Sequence, residues 1–126
     1  MRLWHESLLP KLPRQQLLGQ WRECIALLGN GWGRKHKTVD YVFTYSDRKL
    51  MKYTDKIFLE MIKRGYKPNV QCITDALMRR YDCDFRTAVN MFSNCYDETS
   101  YPEHDESYLR ECLENLRNKN IIIEME

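Results

Sequence analysis

No run in this chain reaches the roughly 20 apolar residues that a membrane-spanning helix requires. The N-terminus lacks the unbroken apolar stretch of a secretory leader, because Met1-Arg2 is followed by Trp4, His5 and Glu6 and then by Pro10 and Pro13. A cytoplasmic location, beside the nucleoid in a bacterial cell, is the expectation. Cysteine is present but unorganised: Cys24, Cys72, Cys83, Cys95 and Cys112 are odd in number, widely spaced and without a Cys-x-x-Cys pair. That pattern argues for small buried thiols in a reducing compartment and against a disulfide frame or a zinc quartet. His5-Glu6 has no second histidine at helical spacing, so it is not a zinc-protease motif. A phosphate-cradling glycine loop, a serine or cysteine catalytic set, internal repeats and low-complexity segments are also missing. No metal and no cofactor is expected.

What remains is a chain of 126 residues, the length of one domain spanning residues 1–126, with 43% hydrophobic residues, eight Tyr and three Trp to fill a modest core. Its net charge is only +2, but residues 1–70 hold 14 Lys/Arg against 6 Asp/Glu, and residues 71–126 hold 6 against 12. An excess of one sign in one half marks a side that meets a polyanion, or else two halves that attract each other in the fold. Charge alone leaves both readings open.

Hydrophobic spacing predicts an all-α fold of about three principal helices with irregular loops and an extended N-terminal arm over residues 1–12. Pro13 suits the first turn of a helix running to Leu28, in which Leu17, Trp21, Cys24, Ile25 and Leu28 form one apolar stripe. Gly29-Asn30-Gly31 is expected to stop it in left-handed geometry. The segment Thr38 to Tyr45 reads as a short strand or as irregular. A second helix over 47–64, capped by Ser46 or Asp47, carries Leu50, Met51, Tyr53, Ile57, Phe58, Met61 and Ile62 on its buried face, and Gly65 and Pro68 end it. Two short helices are expected near 71–81 and 85–95, the latter capped by Asp84. A last helix over 105–118 places Tyr108, Leu109, Cys112, Leu113 and Leu116 toward the core, with His104 at its start as part of a cap. The β-branched tail from Ile121 packs on the body or forms an edge strand.

On the first helix, Gln15, Gly19, Arg22, Glu23 and Ala26 share a sector of about 100°, largely separate from the apolar stripe. A mid-helix glycine costs about 1 kcal/mol relative to alanine. Gly19 therefore suggests a close approach by the N-terminal arm, by a ligand or by another helix. The loop Asn30-Gly31-Trp32-Gly33-Arg34-Lys35-His36-Lys37 is basic and glycine-rich. Together with Arg2, Arg14 and Arg22, its Arg34, Lys35 and Lys37 are candidates to hold phosphates. Trp32 is either a residue that stacks on a base or wedges into a duplex, or a loop anchor.

The run Pro13-Arg14-Gln15-Gln16-Leu17-Leu18-Gly19-Gln20-Trp21-Arg22-Glu23 resembles the catalytic helix of the pyrimidine-dimer DNA glycosylase family, the phage endonuclease V type. Lys37-Thr38-Val39-Asp40-Tyr41-Val42-Phe43, Lys63-Arg64-Gly65-Tyr66 and Tyr101-Pro102-Glu103-His104-Asp105 are similar to later family segments, and the likeness is closest to a small bacterial branch. It is weak over residues 70–99. The resemblance implies a DNA glycosylase with abasic-site lyase activity on pyrimidine dimers in double-stranded DNA, and it implies that Glu23 is the catalytic carboxylate. Arg22 then matches an arginine that contacts the phosphate or the lesion, and Arg2 matches the arginine beside the nucleophilic terminus. Arg2 is too large for ordinary methionine trimming, so the nucleophile falls on the α-amine of Met1. Such an amine has an ordinary pKa near 8 and a useful neutral fraction at physiological pH. The phage branch ends in an aromatic, basic tail, whereas this chain ends Ile121-Ile122-Ile123-Glu124-Met125-Glu126. An inactive nucleic-acid-binding module on the same scaffold, a lyase for another lesion, and a module whose basic half docks on an acidic protein are the alternatives.

Overall fold

The computed structural model describes residues 1–95 and 98–125. It contains five α-helices: α1 (Arg14–Leu28), α2 (Asp47–Lys63), α3 (Val70–Tyr81), α4 (Phe85–Ser93) and α5 (Glu106–Arg117). Among the described residues there is no strand, so the fold is all-α. The three principal helices expected are α1, α2 and α5, and the two short ones expected are α3 and α4. At 12 residues, α3 is as long as α5.

The helix starts follow from side-chain chemistry. Ser46 accepts from the Arg48 N–H, Asn69 from Gln71, Asp84 from Thr87 and Asp105 from Tyr108, each satisfying an otherwise orphaned first-turn donor. Pro13 differs from its expected place. It is the extended residue before α1 rather than its first helical residue, and no side chain caps this helix. Two stops rest on glycine. Gly65 has φ +83°, a left-handed conformation that costs a glycine little. Gly31 donates its N–H to the Ala26 carbonyl at 2.8 Å, and a Cβ there would come within 2.9 Å of that oxygen. Gly29 is not left-handed; close packing, not handedness, shapes this end of α1.

The core is built on α1, which packs against α2 and α3, while α4 lies against α3 and α2. Leu17, Trp21, Cys24, Leu27 and Leu28 of α1 meet Leu50, Met51, Tyr53, Ile57 and Met61 of α2 and Ile73 and Leu77 of α3. Each such large side chain contributes about 1.5–3 kcal/mol on burial. On the α2 face two expected residues fall short: Phe58 is half-buried, and Ile62 is 50% exposed at its edge. The segment after the basic loop is neither strand nor irregular but a 3-10 turn over Asp40–Thr44 that buries Val42. The tail forms no strand among its described residues. Ile121, Ile123 and Met125 pack on the core, Ile122 is 76% exposed, and Glu126 lies outside the described residues.

The largest departure from expectation is the N-terminal arm. It is not an extended appendage. Residues Glu6–Lys11 form a 3-10 turn, and Leu3, Trp4, Leu8, Leu9 and Leu12 are buried in the core. Five large apolar side chains in the first twelve residues outweigh the extended preference imposed before Pro10 and Pro13.

A hydrogen-bond relay fastens this arm to the rest. The Glu6 N–H donates to His104 Nδ1 at 3.2 Å, and His104 Nε2 lies 2.7 Å from the Tyr41 hydroxyl. Because Nδ1 accepts, the neutral ring carries its proton on Nε2 and donates it to Tyr41. Tyr41 donates to Tyr108, and Tyr108 donates to the Leu3 carbonyl. His104 is therefore not the cap of α5, a role taken by Asp105. It is a partly buried link between the arm and α5.

Burial pushes His104 down to about 4, against the opposing pull of Glu6. An unfolded histidine takes its proton near pH 6.5, so between about 6.5 and about 4 the unfolded chain binds more protons than the folded one. This group's contribution is complete above about pH 6.5 and is lost as the pH falls toward about 4. Glutamine can keep both hydrogen bonds without titrating. Urea midpoints should therefore fall between about pH 7.5 and about pH 4.5 in the unmodified protein, and fall less in His104→Gln.

Candidate active site

Glutamine is usually exposed, yet Gln20 is only 1% accessible and sits in the core. Its side chain uses its whole hydrogen-bonding capacity. Oε1 accepts the Trp4 N–H at 2.7 Å and the Tyr53 hydroxyl at 2.9 Å. Nε2 donates to the Arg2 carbonyl at 3.0 Å and to Glu23 Oε2 at 3.2 Å. Tyr53 also reaches the Trp4 carbonyl at 2.6 Å. One amide thus joins the arm to α1 and orients Glu23, which stands one turn further along the same helix face.

The arm held in this way ends beside Glu23. Met1, Arg2, Trp4, Glu23, Thr38, Asn115 and Lys119 line a cavity of about 310 Å³. Burial raises the Glu23 carboxyl above its ordinary range, while the Met1 ammonium, Lys119, the Arg2 backbone N–H and Arg22 pull it back down. The donors on Glu23 favour the carboxylate, and the nearby charges on it are cationic. Lys119 lies over the Trp4 ring at 5.4 Å, which fixes it on the cavity wall.

The far side of the terminus is held by the basic loop. Thr38 Oγ1 donates to the Met1 carbonyl, and His36 Nε2 lies 3.4 Å from the Met1 nitrogen. The His36 N–H donates to Asp40 Oδ1 at 2.8 Å, which closes the loop onto the 3-10 turn. Beyond Arg2 and Thr38 a second cleft of about 370 Å³ is lined by Lys37, Tyr41, Glu103, Tyr108 and Glu111.

The structure brings together some of the sequence candidates and not others. Met1, Arg2 and Glu23 share the cavity. Arg2 also pairs with Glu111 at 3.3 Å and lies over the Tyr108 ring at 5.8 Å, so part of the basic excess is neutralised within the chain. Arg22 is exposed beside Glu23. Arg34, Lys35 and Lys37 are exposed on the loop that carries His36. Arg14 precedes Glu23 by nine residues, about 180° around the helix, and it lies over the Tyr66 ring at 4.9 Å, away from the cavity. Trp32 is half-buried between Phe43, at 5.0 Å, and the guanidinium of Arg80, at 4.7 Å, the contacts of a loop anchor. Among the described residues no chain segment approaches Gly19: a Cβ there would meet only the Arg22 guanidinium, at 4.0 Å. The close contact expected from the arm or another helix is absent.

The profile of the pyrimidine dimer DNA glycosylases matches residues 1–74, more than half of the chain. The chain belongs to this family. No curated protein and no solved structure matches it. The part shared with the pyrimidine dimer DNA glycosylases contains the arm, α1, the basic loop and α2, and hence Met1, Gln20, Glu23, His36 and Thr38. Asn115 and Lys119, on the opposite cavity wall, lie outside it.

Gln20, His36 and Thr38 carried no signal of their own in the sequence. A polar residue at the edge of an apolar stripe was the one available hint for Gln20. Replacing Gln20 by Leu, of similar size but without polar atoms, should leave the buried Trp4 N–H and the Arg2 carbonyl without their partner. The expected cost is about 2–4 kcal/mol in urea unfolding, with faster amide exchange at Trp4 than at Val89 of α4.

Proposed function

We propose that this DNA glycosylase removes damaged pyrimidines from duplex DNA and then nicks the strand, using the Met1 α-amine as nucleophile and Glu23 as its partner. The observation that carries the reading is the cavity lined by both the terminal residue and a half-buried, donor-held carboxylate, in a family whose members are DNA glycosylases. An amine attacking sugar C1′ displaces the base and forms an imine, and elimination from the imine breaks the strand. Glu23 stabilises the cationic sugar and the imine and carries protons during ring opening. The route calls on no metal and no cofactor.

Substrate access requires a nucleotide turned out of the helix, a distortion of a few kcal/mol that is smallest where the pair is already damaged. Arg2, Arg22, Arg34, Lys35 and Lys37 border the cavity or the loop that closes it, and we assign them to the phosphates. Arg14, on the opposite side of α1, is left out of that set, and Trp32 positions the loop. The tail of this chain does not supply the aromatic, basic surface of the phage branch, so the grip on DNA falls to the arm and the loop.

Borohydride trapping of untagged protein tests the reading on duplexes carrying a defined thymine dimer, an abasic site or no damage. An adduct is expected on the first two and not on the third. Glu23→Gln should reduce its formation by about 100-fold or more. Trapping confined to the abasic duplex would leave a lyase without dimer recognition. No adduct on any duplex would exclude the imine route.

A further inference from the structure

The Met1 amine must lose a proton before it can attack. Glu23, the carboxylate of the cavity, already accepts from Gln20 and from the Arg2 backbone. The basic loop presents another acceptor. His36 Nε2 lies 3.4 Å from the Met1 nitrogen, and its Nδ1 lies 3.1 Å from Thr38 Oγ1. The donor count decides which ring nitrogen holds the hydrogen. Thr38 has a single hydroxyl proton, and it is committed to the Met1 carbonyl. Toward His36 the Thr38 oxygen must accept, so Nδ1 carries the hydrogen. In the neutral ring Nε2 then keeps its lone pair, directed at the amine. The Asp40 carboxylate holds the loop in place through the His36 backbone N–H.

We propose that His36 is a catalytic base of this reaction: its neutral imidazole, held in the Nδ1–H form by Thr38, takes the proton from the Met1 ammonium and releases the nucleophile. The proposal rests on the amine reading given above and names the residue that activates the amine.

At an abasic site the steps balance as follows. A proton passes from the Met1 nitrogen to His36 Nε2. The freed lone pair forms the N–C1′ bond to the open-chain aldehyde, and the carbonyl π pair moves to oxygen. A second proton shifts from nitrogen to that oxygen. The imidazolium returns its own proton to the resulting hydroxyl, which leaves as water while the nitrogen lone pair forms the iminium. Of the three protons on the ammonium, one stays on the iminium and two depart in the water. The imidazole ends neutral. At a damaged nucleotide the pair of the breaking C1′–N bond goes to the base, which takes up the proton.

The test is single-turnover borohydride trapping on an abasic duplex, from about pH 6 to about pH 9.5, with unmodified protein, His36→Gln, Thr38→Val and Thr38→Ser. Position 36 is exposed, and urea midpoints check that each variant is folded. His36→Gln is expected to form the adduct about 10-fold more slowly near pH 7, with the gap closing above about pH 9, where an α-amine is neutral without assistance. Thr38→Val should lose part of the rate and Thr38→Ser should retain it. The rate ratio is taken at each pH. Charges facing the amine (Glu23 from α1, Arg2 from the arm, Lys119 beyond α5) and those around the loop (Asp40, Lys35, Lys37) therefore act equally on both proteins.

Equal rates for His36→Gln at every pH would overturn the proposal. So would a deficit that stays constant with pH, which is the mark of a positioning role. Unmodified protein that forms no adduct at any pH would refute the amine reading itself, and the role of His36 with it. An adduct in the unmodified protein with no His36 dependence would refute the base alone.

Discussion

The side-chain amide of Gln20 is the constraint on which the site depends. A terminal amine at the end of a free chain explores a wide volume, and a reaction that needs it beside one carboxylate would bear the full entropic cost of placing it. Here the arm is fixed by bonds to the backbone at Arg2 and Trp4, leaving only Met1 beyond the clamp. The same amide donates to Glu23, so the nucleophile and its partner take their positions from one buried group. Gln20 in turn is held by Tyr53 from α2. The site therefore draws its order from the α1–α2 packing rather than from a surface loop.

Two further attachments complete this placement. The relay through His104, Tyr41 and Tyr108 holds the arm at Glu6 and Leu3, tying it to α5. The basic loop holds Met1 itself through Thr38 and His36. The amine-bearing residue thus touches the loop, while the two residues behind it are clamped to helices. The family resemblance covers the arm, α1 and the loop. The wall from α5 and the turn after it, with Asn115 and Lys119, is where this chain is free to differ in what it admits to the cavity.

Helices were legible wherever local chemistry decides. The caps at Ser46, Asp84 and Asp105 and the stop at Gly65 follow from side-chain donors, acceptors and backbone freedom within a few residues. The arm was not legible in the same way. Pro10 and Pro13 are local signals for extended chain, but the burial of Leu3, Trp4, Leu8, Leu9 and Leu12 is decided by elements distant in sequence, α2 among them. Met1, Arg2 and Glu23 were reached through resemblance to a family. Gln20, His36 and Thr38 were not, because each matters through a partner 16 to 37 residues away. Gly19 is the reverse case: its smallness suggested a close neighbour, and no described segment of the chain lies over it.

The account stands on the claim that the terminal amine, and no other, is the nucleophile. Lys119 offers a competing amine in the same cavity, on its opposite wall, and Lys37 offers one on the adjoining cleft. The most direct measurement is peptide mapping by mass spectrometry of the borohydride-reduced adduct formed on an abasic duplex. The account predicts the sugar remnant on the Met1 nitrogen, in the N-terminal peptide. A remnant on Lys119 or Lys37, with the Met1 amine unmodified, would contradict it.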